Sequence, residues 1–325
     1  MKRSSEKLPA AAAVLVLVAV AIIAYFIFKG NAASASSASG IINAHEHIQS
    51  VEEAEKLVRV MDATNVSGTV LLGSPKQTIY FSGGFNGYDE NNGELLKIKK
   101  AYPGRFYAFC AISPDDKDKL EKLKKCVAKG GDGVKLYSGH TLFYTKRLDD
   151  KDMYPVYEYI ERKRLPLVWH VNPYHYQAEF EKVLQDFPGM TVICPHFCMS
   201  SSNLTKLRHL FSTYPNLYTD ISFGYSPYMA AGLERVSKNT KGFKAIFRDY
   251  GDRILFGTDM VVTDYELKSE EWMINITGCY KAMLEKGKYR CFLINKTLNG
   301  LGINESSLDK VYRRNFEGVM GKVMR

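Results

Sequence analysis

Two histidines flank one glutamate in the segment IINAHEHIQS, residues 41–50. His45 and His47 follow a pair of isoleucines, in a run that favours a β-strand. Because residues i and i+2 of a strand project to the same side, both imidazoles would face one way and could share one metal ion. An H-x-H pair also occurs by chance, so the prediction of a metal site depends on the other ligands that the chain supplies.

Three further residues of metal-ligand type follow short apolar runs. They are His170 in LVWHV, His196 in ICPHF and Asp259 in FGTDM. Imidazole nitrogens and one carboxylate suit Zn²⁺, and Mn²⁺, Fe²⁺ or Co²⁺ are alternatives. Three or four protein ligands leave a position open for a water molecule, whose pKa the ion lowers towards neutrality.

The elements that must position these residues alternate between short β-rich runs and longer amphipathic runs. Eight strands are predicted, at 41–48, 68–72, 105–112, 133–137, 166–171, 191–198, 217–222 and 254–260. Eight βα units in one region of even composition favour a single α/β domain, a (β/α)₈ TIM barrel. A doubly wound sheet is the alternative, and the lack of a Gly-rich phosphate loop after any strand disfavours it.

In such a barrel the carboxyl ends of the strands converge on one mouth, where active sites lie. His45, His47, His170, His196 and Asp259 would all meet there. Other polar side chains of the same face are predicted to contact a substrate. These are Lys135, Tyr137, His140, His175 and Asp220.

The N-terminus predicts a membrane anchor. Residues 10–28 carry no charge and as a helix would be about 28 Å long, close to the thickness of a bilayer core. Three basic residues precede the run, so the N-terminus would be cytoplasmic and the catalytic domain would lie across the membrane. A cleaved signal peptide, with secretion, is the alternative. The predicted division is an anchor at 1–30, an Ala/Ser-rich linker at 31–39 and the barrel at 40–325.

The formal charge of +9 comes from basic residues that are spread along the chain and form no Lys/Arg tract. Nucleic-acid binding is therefore not expected, whereas an anionic small-molecule substrate is.

The six cysteines include no C-x-x-C pair. Cys194 and Cys198 stand four apart in a predicted strand, which would separate them by about 13 Å, too far for a disulfide. Buried thiols are predicted instead.

Five short segments of the chain resemble the motifs of a known group. The segments NAHEH, GVKLY, LVWHV, ICPHF and FGTDM are similar to the strand-end motifs of the amidohydrolase superfamily. The closer likeness is to the amidohydrolase-related branch that includes aminocarboxymuconate semialdehyde decarboxylase. VYRRNFEGVMG, near the end, resembles the final helix of that branch. The resemblance covers residues 40–321.

The resemblance implies roles for these residues. His45, His47 and His170 would be metal ligands, and Asp259 would bind the metal or take a proton from its water. His196 would be a general acid/base or a ligand of a second ion. Lys135 would bridge two ions if it is carboxylated, or hold a substrate carboxylate in a site with one ion. One ion, of zinc type, is expected, and dimers are common in the resembling branch.

The sequence therefore predicts a metal-dependent hydrolase of the amidohydrolase type, in which activated water attacks an amide, ester or lactone. A non-oxidative decarboxylase of a small carboxylic acid is the runner-up. A metal nuclease of the TatD type would prefer a glutamate where Lys135 stands. A membrane-tethered binding barrel without catalysis is the alternative from a different class.

Overall fold

A computed structural model describes residues 40–76, 85 and 87–321 of the chain. Gly40–Arg325 belongs to one compact unit. The predicted anchor at 1–30 and the predicted linker at 31–39 lie outside the described residues, so that division of the chain stays a prediction.

The membrane placement predicted from the sequence is corrected. Among the described residues, no helix combines the length and the apolar character that a bilayer crossing requires.

Eight parallel strands form one sheet in sequential order, β1 to β8. The strands are Ile41–Glu46, Val66–Leu72, Phe106–Ala111, Gly133–Gly139, Leu167–Val171, Val192–Ile193, Leu217–Asp220 and Ile254–Leu255. The first and last strands meet, because Ala44 N donates to Phe256 O at 2.8 Å and Ile48 bridges Val262 in parallel. The sheet is therefore closed, and the (β/α)₈ barrel predicted from the sequence is confirmed.

Helices alternate with the strands and cover the barrel. They are α1 (Ala54–Thr64), α2 (Tyr88–Ala101), α3 (Lys119–Ala128), α4 (Tyr154–Arg162), α5 (Pro173–Asp186), α6 (Leu204–Thr213), α7 (Ser226–Lys238), α8 (Thr240–Tyr250) and α9 (Glu270–Glu285). Helix α8 shows why they pack: Phe243, Ile246 and Phe247 recur at helical spacing and are all buried. Its first turn is capped by Asn239, whose side chain accepts from Gly242 N.

The C-terminal segment closes the end of the barrel at which the strands begin. It consists of α10 (Glu305–Asp309), a π-helical turn (Lys310–Arg314) and α11 (Asn315–Met320). The Asn315 amide donates to Ile254 O at 2.7 Å. Phe316 and Val319 pack against the apolar side chains inside the barrel. This end of the barrel is thus filled, and the opposite end is left for chemistry.

An antiparallel hairpin that was not predicted follows α9. Strands β9 (Lys288–Cys291) and β10 (Ile294–Asn299) form it outside the barrel.

Two predicted strands are much shorter in the structure. Strand β6 was predicted over 191–198 and ends at Ile193, and β8 was predicted over 254–260 and ends at Leu255. Positive φ angles end both runs, at 63° for His196 and at 52° for Asp259. A left-handed residue cannot continue a β-ladder, so each of these side chains stands on a turn beyond its strand.

The cysteine prediction is wrong for the same reason. Cys194 and Cys198 form a disulfide with a Cα–Cα distance of 4.7 Å, because the chain between them turns instead of extending. The remaining cysteines are also paired, as Cys110–Cys126 and Cys279–Cys291.

Candidate metal centre

Four side chains from three strand ends meet at the open end of the barrel. His45 Nε2 and His47 Nε2 each lie 3.4 Å from Asp259 Oδ1, and His196 Nε2 lies 3.6 Å from Asp259 Oδ2. The three imidazoles are buried and Asp259 is partly exposed. The arrangement points three ring nitrogens at one carboxylate, with access from solvent on the carboxylate side.

Three of these residues satisfy the spacing of a metal site among the described residues. One ligand atom each from His45, His196 and Asp259 lies within 4.8 Å of the others. His47 adjoins this group through Asp259. His170, which was predicted as a ligand, is partly exposed beside His196, with ring centroids 5.0 Å apart. The geometry therefore places His196 within ligand distance of His45 and Asp259, and it places His170 next to His196.

The Nδ1 atom of each clustered imidazole, which points away from Asp259, lies within hydrogen-bond distance of another side chain. His45 Nδ1 lies 2.7 Å from Asp220 Oδ2, and His196 Nδ1 lies 2.8 Å from Ser222 Oγ. His47 Nδ1 lies 2.9 Å from Ser74 Oγ. Partners of this kind orient metal-binding histidines and leave the other nitrogen for the ion.

Asp220 is the last residue of β7. Its side chain is wholly buried behind His45, and its Oδ1 accepts from His196 N and from Ser222 Oγ. Burial raises the pKa of this carboxyl, but His45 and the hydrogen bonds outweigh burial and leave it well below the ordinary value. An ionised Asp220 with its oxygens engaged inside the protein orients the imidazole of His45 and anchors the backbone of His196, and this favours a supporting role over a contact with substrate.

The electrostatics suit a cation. Desolvation lowers the pKa of His47 to about 3 and also lowers the pKa of His196 and His170. For Asp259, burial raises the pKa, but His45, His196 and His47 together lower it below the ordinary value. Neutral imidazoles beside an ionised carboxylate are the protonation states that metal binding requires.

Two glycines leave the room that this cluster needs. A Cβ on Gly224, whose φ is +70°, would lie 2.6 Å from Asp259 Oδ2. A Cβ on Gly257 would lie 3.1 Å from His45 Cβ. The donor set and these close approaches together fit a divalent metal ion held by His45, His196, Asp259 and the adjoining His47.

Lys135 lies on β4 and is fully buried. Among the residues that the structure describes, its Nζ has no hydrogen-bond partner, and it lies 4.7 Å from the centre of the Tyr137 ring. Desolvation lowers the pKa of Lys135 to about 8, which leaves it cationic at neutral pH. A buried cation without a hydrogen-bonding partner is costly unless a ligand completes it.

The other predicted substrate contacts differ in position. Tyr137 is buried, and its hydroxyl lies 3.2 Å from His47 Nδ1. His140 is partly exposed, its ring centroid lies 4.6 Å from that of His170, and desolvation lowers its pKa to about 4. His175 is exposed in the first turn of α5, where its ring contacts Tyr176. Tyr137 and His140 therefore adjoin the cluster, whereas His175 is not buried with it.

Sequence reasoning missed three supporting groups, Ser74, Ser222 and Gly224. Ser74 and Gly224 each lie two positions beyond a predicted strand and Ser222 is the last residue of one, but a serine or glycine at such a place carries no signal that separates it from an ordinary turn residue. Only the positions of Nδ1 and of Asp259 single these residues out.

Comparison with known proteins agrees with this architecture. A family model described as Amidohydrolase matches residues 84–276. No curated protein matches the chain. Among solved structures, a putative 2-pyrone-4,6-dicarboxylic acid hydrolase from Pseudomonas putida is 15% identical, covers 87% of this chain and 98% of its own, and has a TM-score of 0.62.

Two other solved structures share the fold at similar distance. 2,6-Dihydroxybenzoate decarboxylase from Rhizobium is 15% identical over 87% of this chain and 98% of its own, with a TM-score of 0.56. 4-Oxalomesaconate hydratase from Rhodopseudomonas palustris is 16% identical over 87% of this chain and 96% of its own, also with a TM-score of 0.56. These likenesses show the fold, and the family model covers more than half of the sequence. The chain therefore belongs to the amidohydrolase family.

Proposed function

We propose that the chain is a metal-dependent hydrolase that acts on a small anionic substrate and uses water to cleave an amide, ester or lactone bond. The observation that carries this proposal is the cluster in which three imidazole Nε2 atoms face the ionised Asp259 while each Nδ1 is held from behind. A structural histidine would need no such convergence, whereas a metal centre does.

The ion would be held by His45, His196 and Asp259, with His47 adjoining them. When bound, a divalent ion of the zinc type would supply Lewis acidity and lower the pKa of a water molecule towards neutrality. The identity of the ion and the number of ions stay predictions.

Residues of the chain would perform the remaining functions, which are proton transfer, orientation of the ligands and binding of the substrate. Asp259, which is ionised and partly exposed, would accept a proton. Asp220 keeps the ring of His45 in one orientation. Lys135 would bind the anionic group of the substrate, because a carboxylate would provide the partner that its Nζ lacks among the described residues.

A second candidate is a non-oxidative decarboxylase, and Lys135 is the observation that favours it. Such an enzyme needs a cation that binds the carboxylate that leaves as CO₂, and a buried lysine whose Nζ has no hydrogen-bond partner among the described residues meets that need. The likeness in fold to 2,6-dihydroxybenzoate decarboxylase is consistent with this candidate.

The test begins with the metal content of the full-length protein, measured by mass spectrometry after loading with Zn²⁺, Mn²⁺ or Co²⁺. We expect about one ion per chain, which the His45→Ala and His196→Ala variants lose. His209→Ala is the matched control, because His209 is exposed on α6 and contacts Glu181. A folded wild-type protein that binds none of the three ions would overturn the proposal.

Activity then separates the two candidates. A panel of esters, lactones and amides that carry a carboxylate is assayed in parallel with aromatic carboxylic acids. Release of acid from the first set without CO₂ supports the hydrolase, and release of CO₂ from the second supports the decarboxylase.

A further inference from the structure

One disulfide encloses a residue of the candidate metal centre. Cys194 and Cys198 stand two positions before and two positions after His196, and both are fully buried. The other two disulfides join elements of the framework: Cys110–Cys126 links β3 to α3, and Cys279–Cys291 links α9 to β9. Of the three disulfides described, Cys194–Cys198 is therefore the one that encloses a residue of the candidate metal centre.

The enclosed turn has an uncommon backbone. Four successive residues have positive φ, with 63° at His196, 51° at Phe197, 49° at Cys198 and 51° at Met199. None of them is a glycine, and such a run is disfavoured for L-residues. The surrounding structure must therefore hold the turn in place.

Hydrogen bonds anchor the two ends of the turn to one residue of β7. Thr219 Oγ1 donates to Cys194 O at 2.6 Å and accepts from Cys198 N at 3.0 Å. His196 N donates to Asp220 Oδ1 at 3.1 Å. Thr219 can bond to both cysteines only while they stay close together, and the disulfide keeps them close.

We propose that the Cys194–Cys198 disulfide positions His196: it closes the left-handed turn and so aims His196 Nε2 at Asp259. The inference rests on the proposed metal centre, since positioning matters only if His196 binds the ion. Without the bond the turn can relax towards ordinary backbone angles, and His196 then moves away from the other ligands.

The test uses Co²⁺ alone as the probe, with its affinity and its visible absorption spectrum as readouts in the full-length protein. In Cys194→Ala/Cys198→Ala we expect binding weaker by roughly 10-fold or more, the effect typical of losing a group that orients a metal ligand. The absorption spectrum should also change, as it does in His196→Ala. The matched control is Cys279→Ala/Cys291→Ala, which loses a framework disulfide and should keep both affinity and spectrum.

A folded Cys194→Ala/Cys198→Ala protein with wild-type affinity and spectrum would overturn the positioning role, and a loss in His196→Ala would then leave the metal centre standing. Wild-type behaviour in His196→Ala itself would remove His196 from the centre and overturn the positioning role, whereas Co²⁺ binding by the wild type would leave the metal centre standing on the other ligands.

A second measurement covers the case in which the double variant does not fold. Wild-type protein is treated with dithiothreitol, and each disulfide takes up two electrons and two protons as the dithiol becomes a cyclic disulfide. The reagent is removed and the sample is divided: one part is alkylated to identify the free thiols by mass spectrometry, and Co²⁺ affinity is measured on the other, unalkylated part. Affinity should fall in step with the fraction of Cys194 and Cys198 found reduced, and it should return when the unalkylated part is reoxidised. An affinity that follows reduction of the other pairs, or does not change once Cys194 and Cys198 are reduced, would contradict the inference.

Discussion

At the scale of single residues, Lys135 shows the cost that a functional group imposes on the fold. Its Nζ is buried and has no hydrogen-bond partner among the described residues. Burial lowers its pKa from 10.5 to about 8, and a shift of this size corresponds to a penalty on the order of 3 kcal/mol for the charged form. A purely structural role does not explain why the fold carries this penalty, whereas a substrate anion does.

Lys135→Met should therefore stabilise the metal-free protein while it abolishes activity. At pH 7 we expect the free energy of unfolding to rise by about 1–3 kcal/mol in urea titrations. The control is Lys119→Met, because Lys119 is also buried but its Nζ donates to Asp116 O and contacts Asp152. A loss of stability in Lys135→Met as large as that in Lys119→Met would contradict this account.

The same residue predicts a dependence on pH. Between pH 8 and 10.5 the unfolded chain binds more protons at Lys135 than the folded protein does, so this residue makes stability rise with pH in that window. The penalty is fully present below pH 8. The stability advantage of Lys135→Met over wild type should thus shrink as the pH is raised from 8 to 10, and urea midpoints at several pH values would measure it. An advantage that does not change with pH would argue against a buried cation.

At the scale of elements, the segments beyond the strand ends decide the geometry of the site. Strands β6 and β8 end early, and their left-handed turns carry His196 and Asp259. The segment after β7 contributes Gly224, whose missing side chain leaves room for Asp259. The strands therefore direct the chain towards the open end of the barrel, and the turns beyond them set the final positions of the His196 and Asp259 side chains.

Gly224→Ala should weaken Co²⁺ binding, because the new Cβ would lie 2.6 Å from Asp259 Oδ2 and displace that carboxylate. We expect a loss of roughly 10-fold in affinity, measured by Co²⁺ titration. Gly104→Ala is the matched control: Gly104 has a similar φ of +80° but no atom within 4 Å of its Cβ position. Both variants should lose about 1–2 kcal/mol of stability from the backbone. Equal Co²⁺ affinity in the two would show that the contact with Asp259 is unimportant.

At the scale of the whole molecule, closure of the barrel brings the first and last strands together. Glu46 joins them: its Oε1 accepts from His47 N and from Val261 N, and its Oε2 accepts from Thr258 Oγ1. Asn43 adds a bond from its amide to Thr258 Oγ1 at 2.7 Å. His45 and Asp259, which are 214 positions apart, meet because of this closure, and Asp259 N donates to His45 O at 2.9 Å.

Glu46→Ala should therefore destabilise the protein by about 3 kcal/mol or more, because it leaves one buried and one partly buried backbone N–H group without acceptors. Urea unfolding would measure the loss, and hydrogen exchange at the Val261 amide should accelerate as well. Glu55→Ala, at an exposed position of α1, is the control and should change stability by less than about 0.5 kcal/mol. A Glu46→Ala protein as stable as this control would show that the carboxylate does not hold the barrel closed.

The sequence by itself determined the barrel and the identity of the clustered residues. Apolar runs such as LVWHV are buried on both faces of the sheet, so their composition predicts parallel strands. Each ligand-type residue stands at or just after such a run, and the closure of a parallel barrel gathers all strand ends at one mouth. These inferences need only local pattern and a general rule of topology.

Only the tertiary structure decided which of these residues form one group and what supports them. It placed His196 rather than His170 within ligand distance of His45 and Asp259, it placed Asp220 behind His45, and it joined Cys194 to Cys198. The first and third outcomes depend on left-handed turns, and the second depends on a contact between residues that are distant in sequence. Hydrophobic periodicity reports which side of an element is buried, but it carries no information about where a turn re-aims a side chain, since that is settled by partners on other strands.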